Sequence, residues 1–271
     1  MTDACIIIPA RYASSRYPGK PLAMLTGASG EKRTLLERSV MAARKVGECI
    51  GREVPVFVAT DDIRVGAEAE RIGTDVIMTD ASCRNGTERV AQAVDAAGLT
   101  AEVIINLQGD APLTPPGFVA ALLEVMCTTP RINVATPILR CDTESVLNFI
   151  EDRRHGRVGA TTVVTNKQGG ALYFSKEVLP FTNGLGTVEG TVPVFHHVGL
   201  YAYRRSALVA YRQWEPGVLE ELEGLEQLRF LENGYPVTTV EVTAPGARFW
   251  ELNNPSDVPL IEQYLGQMGW E

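Results

Sequence analysis

Histidine and cysteine are scarce in this 271-residue chain, and their placement excludes several kinds of site. The three histidines are His155 and the adjacent His196 and His197, which are too few for a histidine-rich metal centre. The five cysteines are scattered and include no C-x-x-C pair. A structural zinc site needs closely spaced ligands, and a disulfide framework needs an even number of cysteines in a small chain. This use of cysteine predicts a cytoplasmic protein whose thiols are mostly small buried hydrophobes.

Long apolar runs and an excess of basic residues are also missing. The longest apolar stretch near the start covers residues 5–8 and ends at Pro9, whereas a membrane-spanning helix needs roughly 18 apolar residues. The first four residues contain no basic region, so we expect no secretion signal and no membrane segment. With 33 acidic and 25 basic residues the net charge is −8, which argues against nucleic acid as the main partner. A local basic cluster could still bind a small anion.

Strand-like and helix-like segments alternate through the first half of the chain. Short β-branched apolar runs are typical of strands buried on both faces, and they occur at 4–8, 54–59, 76–78 and 102–106. Apolar positions at helical spacing follow each run, at 35–50, 62–72, 90–97 and after the pair Pro115 and Pro116. This alternation predicts an α/β fold with a mostly parallel sheet and helices on both faces.

The second half has a more mixed pattern. We predict a hairpin of 158–164 with 171–174, a strand at 194–203, a long helix at 218–233, a strand at 237–242 and a last helix at 255–268. Residues 180–193 are rich in glycine and threonine and are predicted to form a loop. The glutamates at 220, 221 and 223 are predicted to form a solvated helix face. These elements indicate a smaller mixed α+β lobe.

The segment directly after the first predicted strand concentrates cations among small residues. It contains Arg11, Arg16 and Lys20, and ligands of open α/β sheets bind at the carboxyl ends of the strands. Three cations together with exposed N–H groups predict a site for a triphosphate. The segment is not a Walker A loop, because Pro21 follows Lys20 and the upstream glycine is missing. A solvated basic loop is the alternative that this segment alone leaves open.

Two further segments follow strands in the first half. After the fourth strand, Gly109 is predicted to permit a sharp turn that presents Asp110, whose carboxylate suits Mg²⁺. A turn or helix N-cap role for Asp110 is the alternative. In the other segment, Asn85 or Thr87 is predicted to cap a helix, while Arg89 projects toward the same crevice.

Taken together, the spaced motifs carry a family resemblance. They are I-I-P-A-R-Y-x-S-S-R-x-P-G-K-P-L, A-T-D-D, M-T, G-T-E-R, N-x-Q-G-D-x-P, A-L-Y-F-S, H-V-G-L-Y-A-Y-R and L-E-Q-L-R-F-L-E-N-G. Their order along nearly the whole chain resembles the 3-deoxy-manno-octulosonate cytidylyltransferases. The resemblance implies a Rossmann-like fold in one nucleotidyltransferase domain, 1–271. Within it, 1–140 would form a CTP-binding core, 141–245 an acceptor and dimer lobe, and 246–271 a return to the core.

The resemblance also implies a reaction and the residues that carry it. CTP would react with the hydroxyl of an acidic sugar to give a CMP-sugar and pyrophosphate, in a cytoplasmic homodimer that uses Mg²⁺. The implied catalytic residues are Lys20, Arg11 and Asp110. The implied nucleotide-binding residues are Ala10, Arg11, Arg16, Lys20, Asn85, Arg89 and Gln108. The implied acceptor-binding residues are Lys176, His197, Gly199, Tyr201, Glu226 and Gln227. The implied metal ligands are Asp110 and Asn253.

Several positions depart from the family pattern at the metal and acceptor sites. Ala111 stands where the family usually has glutamate, and Asn253 stands where it has the aspartate that binds the second metal position. Asparagine offers an oxygen without charge, so Glu251, two residues earlier, is an alternative ligand. Lys176 replaces an arginine that could bind a carboxylate through two hydrogen bonds. Residues 181–183 lack the acid and the base of the usual W-D-R run.

These departures leave three further readings of the function. The acceptor is an anion, but it could be another 3-deoxy sugar acid, or a small carboxylate or phosphonate of a natural-product pathway. The chain could instead be a non-catalytic relative that binds CTP, as the changes at Ala111 and Asn253 would allow. A nucleotide-sugar enzyme for another base is a weaker alternative.

Overall fold

The computed structural model describes residues 3–14, 16–157, 160–182, 192–243 and 250–271. Its strands are β1 (Ala4–Pro9), β2 (Met24–Thr26), β3 (Lys32–Thr34), β4 (Val56–Thr60), β5 (Asp75–Met78), β6 (Val103–Leu107), β7 (Val134–Arg140), β8 (Thr161–Thr165), β9 (Ala171–Ser175), β10 (Phe195–His197), β11 (Leu200–Arg204) and β12 (Thr238–Glu241). Its α-helices are α1 (Leu35–Ile50), α2 (Ile63–Arg71), α3 (Gly86–Ala96), α4 (Pro116–Thr128), α5 (Thr143–Arg154), α6 (Arg205–Gln213), α7 (Val218–Glu223), α8 (Leu228–Glu232) and α9 (Val258–Met268). Short 3₁₀ helices cover Lys20–Leu22 and Pro255–Asp257. None of the helices in these ranges is long and apolar enough to cross a membrane.

One ten-stranded sheet forms the centre of the structure. Its order is β5-β4-β1-β6-β11-β7-β10-β8-β9, and β12 also pairs with β7. Four of its strands, β1, β4, β5 and β6, pair in parallel, whereas β2 and β3 form a separate antiparallel pair. In the second half the pairs are antiparallel, apart from the parallel pair of β12 with β7. The predicted Rossmann-like α/β fold is confirmed.

The alternation of side chains along β1 explains why this strand lies at the centre of the sheet. Ile6 and Ile8 belong to one apolar cluster, whereas Cys5 and Ile7 belong to the cluster on the opposite face. All four side chains are buried. A strand without a polar face is stable only when helices cover both sides of the sheet, as they do here.

The predicted strand at 194–203 is wrong as a single element, because the chain turns at Val198 and Gly199. The Leu200 N–H donates to the Val198 carbonyl at 2.7 Å, so β10 and β11 are separate strands. β11 then lies antiparallel beside β6, with Leu200 opposite Leu107. This pairing places Gly199 next to the segment that follows β6.

The predicted helix at 218–233 is also divided. Gly224 ends α7 and has φ +61°. Glycine is favoured at this position, because a Cβ would strain the backbone at a positive φ. The segment between α7 and α8 therefore carries Glu226 and Gln227 out of the helix. The predicted hairpin is confirmed for β8 and β9, while residues 158, 159 and 183–191 lie outside the described part of the chain.

Sequence reasoning missed β7, α5, α6 and the β2–β3 hairpin. Of the α5 side chains, only Val146 is buried, so the segment lacks a clear apolar stripe. The division into segments 1–140, 141–245 and 246–271 stays a prediction.

Candidate active site

A cleft of about 1230 Å³ lies at the carboxyl ends of β1 and β6. Both ends meet there because the two strands are parallel neighbours, with Ile7 opposite Asn106. Nearly all of the predicted site residues line it: Ala10, Arg11, Arg16, Lys20, Asn85, Arg89, Gln108, Asp110, His197, Gly199, Tyr201, Glu226, Gln227, Glu251 and Asn253. The fold therefore brings segments from the whole chain to one place.

The basic segment after β1 supplies cations to one side of this cleft. Lys20 begins a 3₁₀ helix, and its Nζ lies 2.7 Å from Asp110 Oδ2. The Arg16 Nη2 donates to the Asn253 side-chain oxygen at 2.8 Å. Arg11 is exposed and forms no ion pair with the residues that the structure describes. Two of the three cations are thus already held by predicted metal ligands.

Gly109 is required by a close approach of two backbones rather than by a turn at positive φ. A Cβ on Gly109 would lie 3.0 Å from the Pro9 carbonyl oxygen, closer than side chains normally come. The predicted turn is present, because the Ala111 N–H donates to the Gln108 carbonyl at 3.3 Å, but Gly109 is not at positive φ. The Asp110 carbonyl accepts a hydrogen bond from the Leu252 N–H at 2.8 Å. This bond brings the segment 250–253 alongside the end of β6.

Glu251 faces the cleft beside Asp110. Burial, followed by the negative charge of Asp110, raises the pKa of Glu251 from 4.5 to about 7. Lys20, a hydrogen bond from the Asn253 side chain and Arg16 act in the opposite direction. The Asn253 amide therefore lies between a cation and a carboxylate, with its oxygen on Arg16 and its side-chain donor on Glu251.

The donor set at this place fits a hard divalent cation. Asp110 and Glu251 offer carboxylates and Asn253 offers an amide oxygen, all from segments joined by the bond between Leu252 and Asp110. The described residues contain no group of three or more histidine, cysteine, aspartate or glutamate side chains arranged around a metal. Mg²⁺ commonly needs only one or two protein carboxylates, because substrate phosphates and water supply its other ligands.

On the other side of the end of β1, the start of α3 contributes to the cleft. Asn85 caps the helix by accepting from the Glu88 N–H at 2.8 Å, so the alternative of Thr87 as the cap is wrong. The Asn85 Nδ2 also donates to the Tyr211 hydroxyl at 3.0 Å and to Glu220 at 3.3 Å. Both ends of the amide are therefore engaged, which fixes its orientation.

Arg89 projects from α3 into the same wall and is only 3% exposed. Its Nη1 donates to the Thr79 hydroxyl at 2.6 Å and lies 3.3 Å from an Asp61 carboxylate oxygen. A buried arginine with one flanking carboxylate is stable because its charge is compensated. The predicted projection of Arg89 toward the crevice is matched by the geometry.

Glu226 connects the start of α3 to the segment after β6. Its carboxylate accepts from the Thr87 N–H at 2.8 Å and from the Gln108 side-chain amide at 3.3 Å. Burial raises the pKa of Glu226 from 4.5 to about 7, although the hydrogen bonds from Thr87 lower it. Glu226 can reach this position because Gly224 ends α7 before it.

The predicted acceptor residues His197, Tyr201 and Gln227 form a buried group. His197 Nε2 lies 2.9 Å from the Thr136 hydroxyl, and the Tyr201 hydroxyl donates to the Gln227 side-chain oxygen at 3.0 Å. Burial, with a smaller effect of the neighbouring His196, lowers the pKa of His197 to about 3. The imidazole is therefore neutral near pH 7 and acts as a hydrogen-bonding group.

Lys176 is the predicted site residue that does not line the cleft. Its backbone N–H donates to Glu223 at 2.8 Å, and its Nζ lies 3.0 Å from the place that a Cβ would take on Gly224. Gly224 itself lines the cleft, so the Lys176 ammonium stands one layer behind the wall.

Sequence reasoning missed two contributions to the cleft. One face of α5 lines it through Ser145, Asn148, Phe149 and Asp152. Two features of the sequence could have indicated this helix. Asp142 is a typical N-cap residue and accepts from the Ser145 N–H at 2.7 Å, and the positions that line the cleft recur at helical spacing. The other is Glu220, which was predicted as part of a solvated face but is 7% exposed and lies in the wall of the cleft.

Comparison with known proteins agrees with this geometry. A family model described as Cytidylyltransferase matches residues 5–241. A 3-deoxy-manno-octulosonate cytidylyltransferase of Maricaulis maris is 38% identical over 97% of each chain. An 8-amino-3,8-dideoxy-manno-octulosonate cytidylyltransferase of Shewanella pealeana is 35% identical over 97% of this chain and 98% of that protein.

A solved structure shows the same similarity in three dimensions. It is a CMP:2-keto-3-deoxy-manno-octonic acid synthetase complexed with CTP, which matches with a TM-score of 0.80 at 31% identity. The match covers 98% of this chain and 100% of that one. The chain therefore belongs to the cytidylyltransferase family of CTP-dependent nucleotidyltransferases.

Proposed function

We propose that this protein transfers CMP from CTP to the hydroxyl of 3-deoxy-manno-octulosonate or a closely related sugar acid, with release of pyrophosphate. One observation carries the proposal: a single cleft joins the basic segment after β1 to the buried group around Glu226 and His197. A nucleotide and an acceptor bound at its two ends would meet near Asp110. The two relatives differ in the sugar acid that their names give, so the acceptor is the variable to test.

The triphosphate of CTP binds to Arg11, Arg16 and Lys20 in this proposal. When the acceptor hydroxyl oxygen attacks the α-phosphorus, the bond to the pyrophosphate oxygen breaks and negative charge develops on the leaving group. Cations that are already in place stabilise that charge more than they stabilise the ground state. Lys20 and Arg11 are therefore the proposed catalytic cations, and Arg16 assists binding.

The cytosine and ribose bind between the end of β1 and the start of α3. Ala10 is small and buried at the end of β1, which lets a flat ring approach the backbone. Arg89 and Gln108 present side-chain donors that other residues hold in fixed orientations. Asn85 contributes as the cap that fixes this end of α3, since both ends of its amide are engaged.

Asp110 is the proposed Mg²⁺ ligand and catalytic carboxylate. Glu251 and Asn253 both place an oxygen donor on the adjoining segment, and of these two only Glu251 can carry a charge. A bound divalent cation would neutralise charge on the phosphate oxygens around the reacting phosphorus. Asp110, at the end of β6, would hold that cation beside the α-phosphate.

The acceptor end uses hydrogen bonds more than charge. Neutral His197 and the Tyr201–Gln227 pair offer donors and acceptors to hydroxyl groups of a sugar. Glu226 lies between the predicted base-binding and acceptor-binding residues, and Gly199 leaves room beside it. Lys176, behind Gly224, contributes a positive field for the acid group.

We also infer that the protein works as a homodimer in the cytoplasm. All five cysteines are free, which suits a reducing compartment. The edge strand β9 exposes Leu172, and Leu222 is exposed on α7. Such apolar side chains favour contact with a second copy, and sedimentation of the purified protein tests this.

The decisive test is pyrophosphate release from CTP and Mg²⁺ across a panel of acids. The panel contains 3-deoxy-manno-octulosonate, its 8-amino-8-deoxy form, sialic acid and small phosphonates, with Asp110→Ala as the inactive control. We expect release with one of the two octulosonates. Release only with a phosphonate or another carboxylate would overturn the proposed acceptor. CTP binding without release on any acid would favour the non-catalytic alternative.

A further inference from the structure

Two pairs of side chains in the cleft each join a cation to an oxygen donor. The cations are proposed to bind phosphate, and the oxygen donors are proposed to bind the metal. Lys20 Nζ lies 2.7 Å from Asp110 Oδ2, and the Arg16 guanidinium donates to the Asn253 oxygen at 2.8 Å. The paired residues are 90 and 237 positions apart in the chain. In both pairs, a residue proposed to bind phosphate contacts a residue proposed to bind the metal.

The first pair is partly shielded from water. The side chains of Lys20 and Asp110 are 14% and 27% exposed. A partly buried ion pair is screened less by solvent and salt than a surface pair. An ammonium within hydrogen-bond distance of one carboxylate oxygen also repels a divalent cation that approaches the same carboxylate.

We propose that Lys20 closes the Asp110 position to free divalent cations, and that the triphosphate opens it by drawing Lys20 away. This inference rests on the proposed function, which assigns Lys20 to phosphate and Asp110 to the metal. Arg16 and Asn253 form the second, weaker pair of the same kind, because the asparagine is neutral. The enzyme therefore binds metal only weakly in a cleft that lacks nucleotide.

A metal that contacts the phosphates of CTP would also make metal and CTP bind together, without any role for the ion pair. The test must therefore remove the ion pair and measure metal binding in the absence of nucleotide. The chain offers a matched control. Arg11 lies in the same segment, lines the same cleft and carries the same charge, but it pairs with no described carboxylate. Loss of Arg11 removes a positive charge near the site and leaves the pair between Lys20 and Asp110 intact.

The experiment measures binding of Mn²⁺ alone, from the electron paramagnetic resonance signal of the free ion, to wild type, Lys20→Met and Arg11→Met. We expect weak binding by wild type and about tenfold tighter binding by Lys20→Met, a change within the usual range for coupled sites. Arg11→Met should differ from wild type by about twofold or less, because an exposed charge is screened. Arg16→Met should fall between these two variants.

A second measurement covers the case in which Lys20→Met fails to fold. CTP binding is measured in EDTA, where no metal can bridge, for Asp110→Asn and Glu251→Gln. Asp110→Asn frees Lys20 and should bind CTP several-fold tighter than wild type. Glu251→Gln removes a neighbouring carboxylate without freeing Lys20, so its gain should be smaller.

The inference is wrong if Lys20→Met binds Mn²⁺ no more tightly than Arg11→Met, or if Asp110→Asn gains no more affinity for CTP than Glu251→Gln. Tight binding of Mn²⁺ by wild type without nucleotide would overturn it as well. None of these readouts uses turnover. Failure of the proposed function would instead appear as absence of pyrophosphate release, whatever the Mn²⁺ affinities are.

Discussion

Arg229 occupies the centre of a buried polar network behind the wall of the cleft that the start of α3 forms. It is 1% exposed, and its guanidinium makes two hydrogen bonds of 2.6 Å to Glu220 and one of 3.0 Å to Glu88. Glu220 in turn accepts from Asn85, the cap of α3. Arg229 is absent from the residues that line the cleft. It therefore affects the site through other residues, as a positioning residue.

We predict that Arg229→Met lowers both the stability and the affinity for CTP. The change leaves the buried carboxylate of Glu220 without its main compensating charge, and the loss of one partner of a buried ion pair costs about 3–5 kcal/mol. That loss is a large part of the stability of a typical protein, and it corresponds to a melting temperature about 10 °C lower.

The effect on CTP follows from the contacts of Asn85. Its Nδ2 donates to Glu220 at 3.3 Å and to the Tyr211 hydroxyl at 3.0 Å, while the Arg229 guanidinium carbon lies 4.1 Å from the centre of the Tyr211 ring. Without the guanidinium, both partners of the amide lose their support. Loss of about one net hydrogen bond is worth about 1 kcal/mol, so the Kd for CTP should rise about fivefold.

The assay combines urea unfolding with CTP binding in EDTA, at a temperature where the variant is fully folded. Arg212→Met is the control, because the Arg212–Asp95 pair lies on the surface with side chains 43% and 46% exposed. Its loss should cost no more than about 1 kcal/mol. The double variant Arg229→Met, Glu220→Gln should regain part of the stability, since it removes the uncompensated carboxylate.

Two results would refute this reasoning. If Arg229→Met unfolds at the same urea concentration as Arg212→Met, the buried charges do not depend on the guanidinium. If the folded variant binds CTP as wild type does, the network supports the fold but does not position the cap of α3.

Three further predictions concern the cleft itself. Asp110→Ala should lower turnover about a thousandfold with an unchanged circular dichroism spectrum, and wild-type activity would exclude the metal role. Lys20→Ala should lower kcat about a hundredfold but leave CMP binding unchanged in titration calorimetry, because CMP lacks the phosphates assigned to Lys20; an equal loss of CMP affinity would contradict that assignment. The pKa of Glu226 is raised from 4.5 to about 7, so the folded state holds this proton more tightly than the unfolded state. Wild type should therefore lose stability relative to Glu226→Gln as the pH rises from about 5 to about 8, by about 1–3 kcal/mol in urea unfolding, and a constant difference across this range would show that Glu226 ionises normally.

Local patterns in the sequence predicted the parallel strands of the first half and the helices that follow them well, although they did not indicate the β2–β3 hairpin. The helix at 35–50 was predicted with the bounds of α1, because its apolar spacing and the glycine that follows it are local signals. β1 was predicted from the apolar run at 4–8, whose alternate side chains enter opposite clusters. The second half was predicted less well, since Gly224 and the bend at Val198 interrupt patterns that read as continuous.

The sequence by itself determined the α/β fold, the basic segment after β1, Asp110 after β6 and a helix cap at Asn85 or Thr87, because each depends on residues near one another in the chain. Only the tertiary structure decided that Lys20 pairs with Asp110 and Arg16 with Asn253, across 90 and 237 positions. It also decided that Glu220 is buried with Arg229, although the sequence pattern placed Glu220 on a solvated helix face. Such pairs depend on strand order and on where the chain turns, and composition and periodicity carry no record of either.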